Sequence, residues 1–219
     1  MTRKNLNIFI KNRISGYFPE FKQIGSYICK ITADHLFVYG FYIDRTSHKE
    51  NIIQFGVFVQ PLYMVSQSLH FTYDKQLKEI GKGYNFNLGD PIDGNRVLLL
   101  VDVLRQNQDF FNKYRSVNTF NNYFEDFNKN DFSYLHVKIC TMILNHDKGI
   151  EAMVLEFFEK SKHAEADGVN FLVNRRNQLK ELYSLYKTDE KKAIEYLMNV
   201  SKQTIVDLKL NDLINNWAY

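Results

Sequence analysis

The run LFVYGFYI, Leu36 to Ile43, is followed after a polar loop (Asp44-Arg45-Thr46-Ser47-His48) by NIIQFGVFV, Asn51 to Val59, and these two stretches decide the fold. Both are built from aromatic and β-branched residues, which suit a pleated surface. In the second, Ile53, Phe55, Val57 and Val59 alternate with Ile52, Gln54, Gly56 and Phe58, so apolar residues point both ways. Strands that are apolar on both faces belong at the centre of a sheet covered on both sides.

The neighbouring segments read as strands too. Tyr27-Ile28-Cys29-Lys30-Ile31 is a short extended run, and Thr32-Ala33-Asp34 a turn leading into Leu36. Pro61 ends the Asn51–Val59 strand, because proline has no N–H for the ladder. Leu69, Phe71 and Tyr73 then alternate with His70, Thr72 and Asp74 as a fourth strand. Four short strands at hairpin spacing predict an antiparallel meander. Ahead of them, Leu6, Phe9, Ile10, Ile14 and Tyr17 recur at helical spacing over 3–17, closed by Gly16 and Pro19.

The stretch GKGYNFNLGDPIDG, 81–94, carries four of the ten glycines and one of the three prolines, which marks a connection. Beyond it the pattern is helical, with helices expected over 95–114, 119–128, 131–145, 148–163, 169–187 and 189–208. Asp131 and Asp189 are the expected N-caps, and Gly149 and Gly168 fall where helices end. The predicted class is α+β: an N-terminal helix, a four-stranded antiparallel meander, then five or six helices packed on the sheet. The organisation follows as 1–80, a glycine-rich connection 81–94, and a helical region 95–219, expected to share one core as one domain.

The chain has 219 residues, of which 45% are hydrophobic and 24% charged, a globular rather than a disordered composition. Lys outnumbers Arg 20 to 8, Asn occurs 22 times and Ala is scarce, beside 18 Phe and 14 Tyr. This joint bias matches AT-rich coding, so the aromatic content does not by itself indicate a stacking surface. The net charge of +3 sits within residues 1–94, which hold 11 basic and 8 acidic side chains. Arg3, Lys4, Lys11 and Arg13 form the basic face of the first helix. That face could meet phosphates or a membrane surface, but reads more simply as solvated, because a dedicated nucleic-acid domain carries a larger patch.

Cys29 and Cys140 make neither a disulfide framework nor a CxxC site. Lys11, Asn12 and Arg13 interrupt any signal-like apolar run, and nothing approaches the roughly 18 apolar residues of a membrane span. A cytoplasmic chain with reduced thiols is the expectation.

Motifs that carry chemistry are weak. GKGYNFNLG has neither the order of a phosphate loop nor the GxGxxG spacing. Asp90, Asp93 and Arg96 read as turn and cap chemistry. His136 and Cys140 stand at i and i+4, a spacing that can share a metal, but without a second ligand pair they read as a buried Cys beside a surface His. No GxSxG motif is present, and Ser66 with His70 brackets a strand start. No cofactor or metal is expected. His146–Ala152 and Thr188–Ile194 echo each other as helix joints about 42 residues apart. Gln60-Pro61-Leu62-Tyr63 makes a rigid corner at a strand end.

The expectation that follows is a non-catalytic protein-binding module of a bacterial cell, such as an immunity-type or defence-accessory protein that binds a toxin or effector. The alternative is an enzyme or small-ligand binder whose site between sheet and helices is walled by Tyr39, Phe41, Gln60 and Tyr63, with His70 as the titratable group. Nucleic-acid binding through Arg3, Lys4, Lys11 and Arg13 comes third.

Overall fold

The computed structural model describes residues 1–46, 51–66, 68–69, 73–77, 85–127, 132–162 and 170–214. The class is α+β, and the chain forms two compact units. The first comprises Met1–Pro61, Ser68–Arg115 and Leu210–Tyr219; the second comprises Leu62–Gln67 and Ser116–Lys209.

The first unit opens with helix α1 (Arg3–Arg13), capped by Thr2, whose hydroxyl accepts from Asn5 N–H. Leu6, Phe9 and Ile10 form its buried stripe, and a 3-10 turn (Ser15–Tyr17) extends it. The sheet follows: β1 (Lys22–Ile24), β2 (Tyr27–Ile31), β3 (Phe37–Arg45), β4 (Ile52–Pro61), β5 (Asp74–Leu77) and β6 (Phe86–Asn87). All pairs are antiparallel in the order β1-β2-β3-β4-β5, with β6 also on β4.

The expected four-stranded meander is therefore six-stranded. β1 is three residues of KQI, too short and polar to announce itself, and pairs with β2 through the Gly25-Ser26 turn. β6 lies inside the glycine-rich stretch, where its two residues carry no alternation. The last strand starts at Asp74; Leu69 and Tyr73 stand outside it, and 70–72 are outside the described residues. Period-2 alternation sorts the central strands into two faces. Tyr39, Phe41 and Ile43 share one face with Val59, Val57 and Phe55, their register partners. The rings of Phe18, Phe21 and Phe111 close over Tyr39 and Phe41, with centroids 4.5–5.9 Å apart. The other face carries Val38, Gly40 and Tyr42 against Gln60, Phe58 and Gly56.

The predicted helix 95–114 is two helices, α2 (Gly94–Gln106) and α3 (Asp109–Tyr114). Asn107 breaks it, its amide donating to Val103 O at 2.8 Å while its Oδ1 accepts from Lys75 Nζ at 3.0 Å. Asp93 caps α2 by accepting from Asn95 N–H.

The second unit holds α4 (Val117–Asp126), α5 (Phe132–Leu144), α6 (Ile150–Lys160), α7 (Asn170–Thr188) and α8 (Glu190–Asp207). α5 is its centre and packs against α4, α6, α7 and α8. Its hydropathic run buries Val137, Ile139, Cys140 and Ile143. Asp189 caps α8 as expected, and Gly149, at φ 85°, precedes α6. Asp131 and Gly168 lie outside the described residues. The two echoing joints touch: His146 Nδ1 and Glu190 Oε1 are 2.8 Å apart. Among the described residues no helix is long and apolar enough to cross a membrane.

Candidate functional site

In the first unit the turn between β2 and β3 forms one wall of an open groove of about 610 Å3, lined by Lys30–Ala33, His35, Tyr39, Arg115, Leu213 and Ile214. That volume falls inside the roughly 300–1,000 Å3 common for ligand sites. Local hydrogen bonds hold the turn. Thr32 Oγ1 accepts from Phe37 N–H at 3.0 Å, and Thr32 N–H donates to Phe37 O at 2.9 Å. Asp34 Oδ1 accepts from the Thr32 hydroxyl at 2.5 Å and from Leu36 N–H at 3.0 Å. The one acid of the turn is thus spent on the turn itself. His35 follows in the left-handed region at φ 59°.

Arg115, just past α3, supplies the opposite side. Its Nη1 donates to the Tyr39 hydroxyl at 2.9 Å, and its guanidinium carbon lies 4.9 Å from the Tyr39 ring centroid. Tyr39 is buried at 5% exposure, so one edge of the guanidinium is fixed by a rigid partner. Lys22 Nζ donates to the backbone oxygen of Asp212, which anchors the short 3-10 turn (Asn211–Leu213) carrying Leu213 and Ile214. The lining therefore combines Lys30, Arg115 and the His35 imidazole with apolar side chains, and holds no carboxylate among its described residues.

The residues expected as a common wall separate. Tyr39 lines the groove. Phe41 shares its face but is sealed at 0% exposure within the ring cluster. Gln60 pairs with Val38, which puts it on the opposite face, where its amide donates to Ser68 O at 3.4 Å. Tyr63 belongs to the second unit, with its hydroxyl 2.7 Å from Thr141 Oγ1. His70 lies outside the described residues. Arg3, Lys4, Lys11 and Arg13 are all exposed on α1. Arg115 escaped the sequence reading because its tie to Tyr39 spans 76 positions. No local motif records such a pairing.

The second unit has a different, closed feature. Tyr63, Met64, His136, Cys140, Leu182 and Tyr196 are among the residues around a space of about 20 Å3, the size of a single water. His136 is not the surface residue expected; it is 3% exposed, because α5 is covered by helices all round. Among the described residues its Nδ1 has no hydrogen-bond partner. Burial, with the Arg175 charge second, pulls its pKa down to about 3, so the ring is neutral. Burial pushes the Cys140 thiol up to about 12, against the opposing charge of Arg175. A protonated thiol beside a neutral imidazole is not an activated nucleophile pair. Among the described residues no group of three His, Cys, Asp or Glu could hold a metal ion.

Arg96 serves β6 rather than a polar site with Asp90 and Asp93. Its Nε donates to Asn87 O at 2.8 Å, and its guanidinium lies 4.4 Å over Phe86. The fold and groove thus define an α+β chain with a cationic cleft beside a short sheet edge. No family model, no curated protein and no solved structure matches the chain.

Proposed function

We propose that this chain is a non-catalytic protein-binding module of the bacterial cytoplasm, of the immunity or defence-accessory kind, that grips a toxin or effector through the groove of the first unit. The groove carries this reading: it is open, cationic at Lys30 and Arg115, and without a carboxylate among its described lining residues. Small-molecule sites usually enclose most of their ligand, whereas an open groove along a strand suits a length of polypeptide. The strongly perturbed groups favour binding over acid–base chemistry. Both thiols are pushed up to about 12 and His136 is held near 3, whereas a general acid or base works best with a pKa near ambient pH. The bacterial and cytoplasmic parts of the reading rest on the Lys-, Asn- and Phe-rich composition and on two buried, unpaired cysteines.

The test is affinity capture from the native host with tagged wild type and a Lys30→Glu/Arg115→Glu double variant, read by mass spectrometry. The expected result is a toxin or effector captured stoichiometrically by wild type and lost with the variant. A partner held equally by both proteins removes the groove as its site.

A further inference from the structure

We infer that the groove takes its partner by strand addition: an extended acidic segment lies beside β2 past the end of β1, bonds the backbone of Ile31, and places carboxylates against Lys30 and Arg115. This rests on the binding reading above and names the chemistry of the bound segment.

The sheet edge supplies the first observation. β1 pairs only with Tyr27, Ile28 and Cys29, so β2 outruns it by Lys30 and Ile31. The chain leaves the sheet there, because Phe21 turns inward, its N–H bonded to Phe18 O and its ring among Tyr39, Phe41 and Phe111. In an antiparallel ladder the N–H and C=O of one residue point to the same neighbour, and successive residues alternate sides. Thr32 N–H donates to Phe37 O of β3 and Ser26 O accepts from Ile43 N–H, so the even-numbered residues face β3. Ile31 therefore points its N–H and C=O to the opposite side, where β1 has ended. No hydrogen bond among the described residues uses either group. An unpaired edge of this kind, here lining the groove, is a template for a further strand.

Side-chain alternation then sets the chemistry of the added strand. Lys30 shares a face with its register partner Tyr39, to whose hydroxyl Arg115 is bound, so both cations lie on one side of the edge. Ile31 lies on the other face with its partner Val38, both buried and apolar. In a strand beside β2, the side chain next to Lys30 meets the two cations and the one next to Ile31 meets apolar surface. Alternating acidic and β-branched apolar residues satisfy both, and Leu213 and Ile214 add apolar wall. The backbone edge and the apolar share of the lining favour a peptide over a nucleic acid, which would need a larger basic surface.

The test uses fluorescein-labelled octapeptides and fluorescence anisotropy. One alternates Glu and Val, one alternates Lys and Val, and two are Glu/Val peptides N-methylated at alternate residues in opposite phases; an eight-nucleotide oligothymidylate is the nucleic-acid arm. The Glu/Val peptide should bind wild type, and the Lys/Val peptide about tenfold or more weaker. The Lys30→Glu/Arg115→Glu protein, checked as folded by circular dichroism, should lose about tenfold for the Glu/Val peptide, the size of a lost charge-assisted contact. One N-methyl phase should abolish binding and the other leave it. Failure of the Glu/Val peptide to bind, equal effects of the two phases, or tighter binding of the oligonucleotide would each overturn strand addition. If the captured partner is lost from the charge-reversed protein while the Glu/Val peptide never binds, strand addition fails and the groove stands. If that partner is retained, the groove itself fails.

Discussion

The Tyr42 hydroxyl donates to Asp74 Oδ2 at 2.6 Å, and so ties β3 to β5 across the intervening strand β4. It passes over the bare backbone of Gly56, Tyr42's register partner. A Cβ at Gly56 would sit 2.6 Å from the Tyr42 hydroxyl and ring and 2.6 Å from Lys75 O. The missing side chain is what lets the phenol lie flat enough to reach Asp74.

Gly56→Ala should therefore destabilise the protein by about 2–3 kcal/mol, the usual cost of overpacking a site whose neighbours include backbone. Urea denaturation would show a lower midpoint with an unchanged slope. An unshifted midpoint would mean the strand moves aside freely.

Burial first, and the Asp74 hydrogen bond next, raise the Tyr42 phenol far above its ordinary pKa of 10. The native state then holds this proton where the unfolded chain releases it, so stability falls as pH rises through 10. Tyr42→Phe should cost about 1–2 kcal/mol at pH 7, where it deletes the hydrogen bond. It should also lose stability less steeply than wild type from pH 9.5 to 11.5. Parallel pH profiles for the two proteins would refute the link.

His136 titrates with the opposite sense. Its native pKa of about 3 lies below the ordinary 6.5, so the unfolded chain binds a proton that the native state refuses. Stability is full above about pH 6.5 and falls as pH drops toward 3, by about 2 kcal/mol between pH 7 and pH 5. The surrounding Arg175, Cys140 and Tyr196 offer no carboxylate to stabilise an imidazolium. His136→Phe should flatten this part of the profile measured by chemical denaturation; an unchanged slope would assign it to other groups.

Cys29 and Cys140 are both buried, with thiols pushed up to about 12 by burial. Thiolate is the reactive form, so a disulfide reagent at pH 8 should label neither cysteine in the native protein on the minute scale. Two equivalents should react at once in denaturant. Rapid native labelling of one cysteine would show that its unit opens easily.

Legibility followed the strength of the local signal. β3 and β4 are long and apolar on both faces, so alternation alone found them. β1 is three residues and its neighbour across the turn defines it. The α2–α3 break at Asn107 depends on Lys75, which a helical pattern over 95–114 cannot register. Tyr39 is legible as an aromatic on a central strand; Arg115 has no local signal, and the register alone puts Gln60 on the other face.

Composition and periodicity determined the α+β class, the order of helix, sheet and helices, and the caps at Asp93 and Asp189, because these depend on neighbours within a few residues. Tertiary structure decided the rest. Only the meeting of distant segments ends β1 before Ile31, seats Arg115 on Tyr39, and buries His136 in a ring of helices. Each is a contact whose partners the chain keeps far apart until it folds.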